Sequence, residues 1–577
     1  MERINERLKS IETLASLYDY AVREYGKLPM MKKKHSWGYQ AISYNEFGRL
    51  ISFIGTGLIE RGLKTGTKVA IIAENSPEWA LVYAAVTASG AVIVPLDAQL
   101  NENEIRHLLL HSEARFLVAS EKVFNEKIDS MGLRDIDVIV IGEKKSSTGF
   151  TSLGDLMASG KEIINRGEGE FFKKKSDVTA DDIAAICYTS GTTGTPRGAV
   201  LLHRNITADV KGCVERIPAD SKDVFLNLLP MHHTFSTTTN ILVPISIGAS
   251  IVFGRSMKPR DIKEDIQREN VTVLIGVPLI FEHIISSLNK TISEKPKQKQ
   301  LLFAAVKKIA SSIGRLFKRN VERKVFAKQL DSSGLGSLRF CISGAARLRR
   351  DVEDAMFSIG LPVLQGYGMT ETSPVISVNP LDRPKKGTVG PPLPGVEVKI
   401  ENPDENGIGE ILVRGANVMK EYYRNPEATA EALRNGWLHT GDLAKIDKDG
   451  YITFVGRKKS VVVTEGGKNI YLEELESVLN GSPFILESAV VPVKDNRGND
   501  SIAAIVVPDY NTLSSDGRFK GNLSEELITE TIAYEIKRLC SELPDYKKIR
   551  DFQIRNEELP KTTTQKIKRH LVKWVEE

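Results

Sequence analysis

Several residue types and patterns are scarce in this chain of 577 residues. It contains four cysteines, Cys187, Cys213, Cys341 and Cys540, which lie far apart and form no Cys-x-x-Cys pair. Neither a cysteine zinc site nor a disulfide framework is therefore indicated. Cys187 and Cys341 sit in apolar runs and are interpreted as small core residues, which fits a reducing cytoplasm.

Long apolar runs and a strong excess of one charge are also missing. The most apolar long stretch, residues 241–253, is too short to span a bilayer and contains Pro244. The first eight residues alternate charged and apolar side chains, so we expect neither a secretory signal nor a transmembrane helix. A net charge of +5 on this length does not indicate a nucleic-acid partner. We expect a cytoplasmic protein, with contact at the inner face of the membrane left open.

Short apolar runs alternate with helical patterns through most of the chain. The runs predict strands at residues 68–73, 91–95, 137–141, 183–187, 250–253, 271–275 and 338–342, and residues 76–89 predict a helix. This alternation predicts an α/β fold with parallel or mixed sheets flanked by helices. In such sheets, ligands bind at the carboxyl ends of the strands.

The pattern changes after about residue 456. Residues 460–464, 489–492 and 501–507 predict strands, and residues 471–479 and 523–543 predict helices, which together indicate a small α+β unit. We therefore predict a large N-terminal domain of residues 1–456 and a C-terminal domain of residues 457–577, with the boundary at Arg457 to Lys459.

An insertion at about residues 290–335 carries a basic amphipathic pattern. Apolar residues recur at helical spacing from Leu302 to Val325, and lysines and arginines cover much of the remaining surface. Such a helix can lie on an anionic membrane, or it can pack on the large domain with its basic face in solvent. Amphipathicity alone leaves both interpretations open.

The most informative segment is a run of hydroxyls and glycines that follows the apolar residues 183–187. Glycines let backbone amides approach anionic oxygens closely, hydroxyls add donors, and Arg197 adds a fixed positive charge. Taken alone, such a cluster is more often a polar turn, and it lacks the Gly-x-x-x-x-Gly-Lys-Ser/Thr pattern of common nucleotide loops. We nevertheless predict a phosphate-binding loop formed by Thr189, Ser190, Gly191, Thr192, Thr193, Gly194, Thr195, Pro196 and Arg197.

The order of the motifs that follow supports this prediction. Along the chain come Leu-Pro-Met-His-His-Thr-Phe (229–235), Ser-Gly-Ala-Ala (343–346), Gln-Gly-Tyr-Gly-Met-Thr-Glu-Thr (365–372), Gly-Thr-Val-Gly-Pro-Pro (387–392), His-Thr-Gly-Asp (439–442), Gly-Arg-Lys-Lys (456–459), Gly-Gly-Lys-Asn (466–469) and Leu-Pro-Lys-Thr-Thr-Thr-Gln-Lys (559–566). In order and spacing, over nearly the whole chain, this series resembles the adenylate-forming superfamily. Within that superfamily the chain is similar to bacterial long-chain fatty-acid–CoA ligases.

The resemblance implies a reaction in two steps. ATP and Mg²⁺ adenylate a medium- to long-chain fatty acid with release of pyrophosphate, and coenzyme A then accepts the acyl group with release of AMP. It also implies that the C-terminal domain is a mobile lid with its hinge at Lys459. A ligase for an aromatic or alicyclic acid, and the loading of an acyl carrier protein, stay open as alternatives, and a homodimer is also left open.

The resemblance assigns roles to individual residues. Lys566 and Thr370 are expected to contact the α-phosphate, Glu371 and Thr189 to hold Mg²⁺, and His233 to gate the carboxylate pocket. Tyr367 is expected to stack on adenine, within a pocket walled by Gly344, Ala345, Gln365, Gly366 and Gly368. Asp442 and Arg457 are expected at the ribose, and Gly466, Gly467 and Lys468 at the channel for coenzyme A.

Three positions depart from the usual family pattern. Arg197 stands where most relatives carry lysine, Gln565 stands where glycine is usual, and His232 replaces an aromatic residue. The first two motivate a further alternative, a catalytically weak protein that binds nucleotide and lipid. Metal binding by His232 and His233 is not expected, since adjacent side chains on a strand point apart.

Overall fold

Two large sheets carry most of the predicted strands of the N-terminal part. The computed structural model describes residues 6–35, 38–142, 150–189, 196–293, 296–297, 321–463, 468–494, 500–516, 519, 523–561 and 567–575. In the first sheet the strand order is Val375–Val378, Val363–Gly368, Phe340–Ser343, Val273–Gly276, Val224–Asn227, Ser250–Phe253, Pro29–His35 and Gly38–Ser43. In the second it is Glu421–Tyr422, Arg197–Leu202, Ile183–Thr189, Val92–Leu96, Lys68–Ile72, Phe116–Ser120, Asp137–Ile141 and Thr151–Ser152.

Both sheets are parallel in the middle and antiparallel towards at least one edge. Strand Phe340–Ser343 pairs in parallel with Val363–Gly368, which pairs antiparallel with Val375–Val378. In the second sheet, Ile183–Thr189 and Arg197–Leu202 form an antiparallel pair around the predicted phosphate loop. The chain turns back at these edges because the connections are too short for a crossover helix. The predicted mixed α/β fold class is therefore confirmed.

Helices pack on the faces of these sheets, and several begin at capping residues. Ser43 and Glu46 form a reciprocal capping box at the start of Tyr44–Glu60, and Ser76 caps the almost wholly buried helix Pro77–Ala88. The longer helices of the N-terminal part are Leu14–Tyr25, Tyr44–Glu60, Pro77–Ala88, Glu102–Ser112, Leu153–Asn165, Phe171–Asp177, His203–Arg216, Pro259–Glu269, Pro278–Ser293, Ala327–Ser332, Arg350–Ser358 and Pro426–Ala432. Among the described residues, none of the helices combines the length and apolar character needed to cross a membrane.

A third, antiparallel sheet lies at the end of the N-terminal part and was not predicted. Its strands are Val396–Glu401, Gly409–Gly415, Trp437–Ile446, Leu433–Arg434 and Ile452–Arg457. The predicted boundary at residues 457–459 falls where this sheet ends, because Lys458–Ser460 is a short 3₁₀ helix and Val461–Val463 begins a different sheet. These bounds are compatible with the predicted hinge at Lys459.

The C-terminal part is a smaller β/α unit with its own apolar core. A sheet of Ile485–Lys494, Asp500–Pro508 and Asp551–Ile554 packs with helices Leu472–Leu479 and Glu525–Leu539. Leu475, Val490 and Ile532 lie in this core, which is separate from the clusters of the large sheets. Most of the basic insertion, residues 298–320, lies outside the described residues, so its contact with membrane or protein stays a prediction.

Candidate active site

One large cleft brings together the predicted segments at the carboxyl ends of the strands. Its volume is about 2680 Å³. The predicted residues that line it are Thr189, Pro196, Arg197, His233, Gly344, Ala345, Gln365, Gly366, Tyr367, Gly368, Thr370, Glu371, Asp442, Arg457 and Lys459. Ser190, Gly191, Thr192, Thr193, Gly194, Thr195, Gly466, Gly467 and Lys566 lie outside the described residues. Lys468 forms an ion pair with Glu405, with 3.2 Å between Nζ and Oε1.

Tyr367, Asp442 and Arg457 form a connected polar cluster in this cleft. The Tyr367 hydroxyl donates to Asp442 Oδ2 at 2.7 Å, and Arg457 Nε lies 3.2 Å from Asp442 Oδ1. Asp442 and Arg457 face each other across paired strands, which explains why the two motifs meet. Burial and the Asp442 carboxylate hold the pKa of Tyr367 well above its usual value, so the hydroxyl stays protonated and donates.

Glycines on either side of Tyr367 allow the strand to pack closely. A Cβ atom at Gly368 would lie 1.9 Å from the Pro374 carbonyl oxygen, and one at Gly366 would lie 3.3 Å from the Ser377 oxygen. Gly344 is similarly restricted, because a Cβ atom there would lie 2.6 Å from the Phe235 ring. Side chains are thus excluded at positions 344 and 368, because Phe235 and Pro374 already occupy the space that a Cβ atom would need.

Gln365 lines the cleft, but its amide group is engaged behind the pocket wall. Its Nε2 donates to Glu353 Oε1 at 2.9 Å, and its Oε1 accepts from the Leu348 amide at 3.3 Å. Glu353 also accepts from the Gly387 amide at 2.9 Å. The motif predicted Gln365 at the pocket, whereas no pattern in the chain indicated Glu353 as its partner.

Glu371 is connected to the predicted phosphate loop through Tyr422. The Tyr422 hydroxyl donates to Glu371 Oε1 at 2.7 Å, and the Arg197 guanidinium lies 5.6 Å from the centre of the Tyr422 ring. Strand Glu421–Tyr422 pairs with Arg197–Leu202, which positions the ring between the two. Burial raises the pKa of Tyr422 well above its usual value, so the hydroxyl remains a donor. Tyr422 therefore links Glu371 to Arg197, the last residue of the predicted loop.

The hydroxyls predicted at this end of the cleft lie at the end of a strand and on a short turn. Thr189, the last residue of strand Ile183–Thr189, donates from Oγ1 to the Arg197 carbonyl oxygen at 3.3 Å. Thr370 begins the 3₁₀ turn Thr370–Thr372. The Thr372 hydroxyl stabilises this turn by donating a hydrogen bond to the Pro374 carbonyl oxygen at 2.7 Å. Hydroxyl and carboxylate oxygens on one side of a cleft fit the ligand preference of Mg²⁺.

His232 and His233 do not diverge as the sequence led us to expect. They precede the helical segment that begins at Thr234, and their ring centres are 4.1 Å apart. His232 Nε2 also lies 3.5 Å from Asp97 Oδ2. Burial lowers the pKa of His232 to about 4, so the ring is neutral at neutral pH. The expectation failed because it assumed a strand where the chain turns into a helix.

Apolar side chains from several elements line the rest of the cleft. Among them are Phe225, Leu229, Ile275 and Val277, which lie in or just after strands of the first sheet, and Pro278, which begins the next helix. An apolar lining of this kind suits a substrate with a hydrocarbon part.

The described residues on either side of positions 562–566 make defined contacts. Lys561 and Ile567 form a backbone bridge, and Lys561 Nζ lies 2.8 Å from Glu487 Oε2. On the other side, Arg569 pairs with the buried carboxylate of Glu476. Lys561, Ile567 and Arg569 line the cleft, so the flanks of the predicted catalytic lysine reach the site.

The fold places two mixed sheets, a third antiparallel sheet and a small C-terminal unit around one cleft. This arrangement defines a class of α/β enzymes with a separate C-terminal domain. A family profile described as AMP-binding enzyme matches residues 20–423, and one described as AMP-binding enzyme C-terminal domain matches residues 474–566. The chain therefore belongs to the AMP-binding enzyme family.

Named relatives agree with this assignment. The chain is 31% identical over 514 residues to long chain acyl-CoA synthetase 6, peroxisomal, from Arabidopsis thaliana, a match that covers 84% of this chain and 72% of that protein. It is 29% identical over 480 residues to a feruloyl-CoA synthase from Amycolatopsis, covering 82% and 84%. ATP-bound MatB from Rhodopseudomonas palustris superposes with a TM-score of 0.71 at 27% identity, covering 96% of this chain and 98% of that one. The predicted family is confirmed, and both relatives are named as CoA synthetases or synthases.

Proposed function

We propose that this protein is an ATP-dependent acid–thiol ligase that acts on a medium- to long-chain fatty acid. In the first half-reaction a carboxylate oxygen attacks the α-phosphorus, the bond to the β-phosphate breaks, and pyrophosphate leaves. In the second, the coenzyme A thiol attacks the acyl carbonyl, loses its proton, and AMP leaves. The observation that carries the proposal is the convergence of Glu371, Tyr422 and Arg197 with the Tyr367–Asp442–Arg457 cluster on one cleft.

The two clusters divide the nucleotide between them. At one end, the Thr189 to Arg197 hairpin binds the β- and γ-phosphates with Arg197 as a fixed cation, and Arg retains the charge that lysine usually supplies there. At the other end, Tyr367 stacks on adenine while Asp442 accepts hydrogen bonds from the ribose. The state of Asp442 Oδ1 supports this role. This oxygen is buried and has no hydrogen bond among the described residues, since its contact with Arg457 is ionic.

The negative charge of the α-phosphate is stabilised by residues that lie between these two ends of the cleft. Glu371, together with Thr189, would hold Mg²⁺, which supplies positive charge to the phosphate oxygens. Thr370 lies beside Glu371 and donates to the α-phosphate, and Lys566 stabilises the charge that develops there. His233 lies at the carboxylate pocket. The apolar lining around Val277 and Pro278 accommodates the acyl chain.

The same cleft serves the second half-reaction after the C-terminal domain rotates about Lys459. The rotation removes Lys566 and brings Gly466, Gly467 and Lys468 to the thiol channel. The 3₁₀ helix Lys458–Ser460 supports this role, since these three residues connect the last strand of the third sheet to the first strand of the C-terminal part. A hinge of this kind needs only a few residues that absorb the change in backbone angles.

The alternatives to this proposal differ in the acid that is adenylated or in the thiol that accepts the acyl group. A feruloyl-CoA synthase among the relatives favours an aromatic acid as the second candidate. Loading of an acyl carrier protein would leave the first half-reaction unchanged, so the acceptor has to be assayed separately.

Pyrophosphate release tests the proposal directly. Full-length protein is incubated with ATP, Mg²⁺ and either palmitate, ferulate or benzoate, and the thioester is then measured after adding coenzyme A or an acyl carrier protein. Release with palmitate, and thioester formation with coenzyme A, is the expected result. Release of pyrophosphate only with ferulate or benzoate would show that the substrate is an aromatic acid and not a fatty acid. Binding of ATP and palmitate without release would identify a nucleotide- and lipid-binding protein instead.

Lys566→Ala is the matching catalytic prediction. Removal of the charge at the α-phosphate should lower adenylation by about a hundredfold or more, as expected for a group that acts on developing charge. Lys573→Ala is the control, because this lysine is exposed in the same C-terminal segment and should retain the activity of the parent protein. Equal activity in both variants would remove Lys566 from the mechanism.

A further inference from the structure

Three strands of the antiparallel sheet bring Glu401, Glu410 and His439 together. One oxygen of each carboxylate and Nδ1 of the imidazole all lie within 4.8 Å of one another. His439 Nδ1 is 3.6 Å from Glu401 Oε2 and 3.9 Å from Glu410 Oε1. The three residues belong to the neighbouring strands Val396–Glu401, Gly409–Gly415 and Trp437–Ile446, so the sheet holds them in place.

The two glutamates face each other directly across this sheet. Glu401 and Glu410 are paired residues in the antiparallel register, a position where like charges repel. Glu410 accepts a hydrogen bond from the Gly441 amide through Oε1, at 3.1 Å, and one from Lys458 through Oε2, at 2.8 Å. Lys458 therefore offsets the charge of Glu410 from one side.

His439 directs an unsatisfied nitrogen into this cluster. Its side chain is about nine-tenths buried, and Nδ1 has no hydrogen-bond partner in the part of the chain that the structure describes. A buried ring nitrogen without a partner is costly, and such groups in native structures call for an explanation. An imidazole nitrogen next to two carboxylates is a donor set that divalent transition ions use.

We propose that Glu401, Glu410 and His439 form a binding site for one divalent transition ion of the zinc type. Ligands about 2.0–2.2 Å from a tetrahedral ion are roughly 3.3–3.5 Å apart, so the observed nitrogen–oxygen distances need to close by only a few tenths of an ångström. Glu401 is 36% exposed and leaves room for a water as the fourth ligand. Mg²⁺ is a poor occupant, because it prefers six oxygen ligands.

The site is separate from the Mg²⁺ position proposed beside Glu371, and its occupation does not depend on catalysis. Glu410 uses Oε1 towards His439 and Oε2 towards Lys458, so the ion and the lysine do not share an oxygen. Lys458 nevertheless repels a cation placed there. Removal of its charge should therefore tighten binding.

Calorimetric titration of the full-length protein with Zn²⁺ in the absence of ATP tests the site. One ion per chain should bind, a millimolar excess of Mg²⁺ should not displace it, and Co²⁺ should give the visible absorption of a four-coordinate ion. His439→Gln should weaken binding by at least about a hundredfold, since it removes the nitrogen ligand. Lys458→Met should strengthen it several-fold.

The rival site is the pair His107 and His111, whose rings lie 6.1 Å apart on helix Glu102–Ser112. His107→Gln is therefore the control and should leave Zn²⁺ binding unchanged. Glu401→Gln, at a partly exposed position, repeats the test if His439→Gln does not fold, and it should also weaken binding. Loss of binding in His107→Gln, or parent-like binding in both His439→Gln and Glu401→Gln, would overturn the proposal.

Discussion

A buried carboxylate needs a donor, and Tyr422 supplies one to Glu371. We predict that Tyr422→Phe lowers the apparent affinity for Mg²⁺ and ATP in the adenylation step by about ten- to a hundredfold, because a hydrogen bond to a charged group contributes about 1.5–3 kcal/mol. The rate of pyrophosphate release at increasing Mg²⁺ and ATP concentrations measures this effect.

Tyr423→Phe is a matched control for that prediction. Its hydroxyl donates to Glu113 at 2.7 Å in an exposed position, away from Glu371. Its loss should change neither the affinity nor the rate noticeably. If both variants resemble the parent protein, the hydroxyl of Tyr422 does not position Glu371.

At the scale of residues, local motifs predicted the site better than tertiary partners. Tyr367 and Asp442 stand in short motifs, and the structure brings both to the cleft. Tyr422 and Glu353 stand in no such motif. Tyr422 becomes the partner of Glu371 because two strands distant in sequence pack together, and Glu353 becomes the partner of Gln365 because a helix packs on the strand that follows it. A single sequence does not record that packing.

At the scale of elements, His203 couples helix Leu14–Tyr25 to the second sheet. Its Nδ1 accepts a hydrogen bond from the Leu14 amide at 3.1 Å, which satisfies one of the open amides of the first helical turn. Burial lowers the pKa of His203 to about 4. The ring is therefore neutral in the folded protein, and protonation would remove the acceptor.

This arrangement predicts a pH dependence of stability. An unfolded histidine titrates near pH 6.5, so between pH 6.5 and 4 the unfolded state binds more protons than the folded state. His203 stabilises the fold fully above about pH 6.5, and that stability, up to about 3 kcal/mol, is lost as the pH falls towards 4. We predict that His203→Asn makes the free energy of unfolding less dependent on pH in this window.

Denaturant unfolding at several pH values measures the slope. His107→Gln serves as the control, because His107 is exposed and should leave the slope unchanged. Part of the slope should remain in His203→Asn, since burial also lowers the pKa of His232 to about 4. An unchanged slope in His203→Asn would show that His203 is not buried in neutral form.

The strand pattern was predictable where the middle of a strand is buried on both faces. Strands Asp137–Ile141 and Ser250–Phe253 have the predicted bounds, because continuous apolar runs between polar residues mark them clearly. The antiparallel sheet that includes Val396–Glu401 was missed. Its strand alternates half-buried and exposed residues and includes charged ones, so no apolar run marks it.

The whole molecule consists of two units with separate cores, joined at the 3₁₀ helix Lys458–Ser460. If Lys459 is the hinge, its backbone angles differ between the two half-reactions. Proline at this position holds φ near −65° and also restricts the preceding residue. We predict that Lys459→Pro holds the C-terminal domain in the orientation needed for only one half-reaction. The rate of that half-reaction should then be kept while the rate of the other falls.

A pre-steady-state assay separates the two steps by following the pyrophosphate burst and the later appearance of the CoA thioester. Lys459→Pro should slow one of them by about tenfold or more while the other stays close to the parent rate. Lys459→Ala, which removes the side chain but leaves φ unrestricted, should preserve both steps within a few-fold. Thermal unfolding checks that both variants are folded. Equal slowing of both half-reactions in folded Lys459→Pro would contradict rotation at this residue and move the hinge elsewhere in the chain.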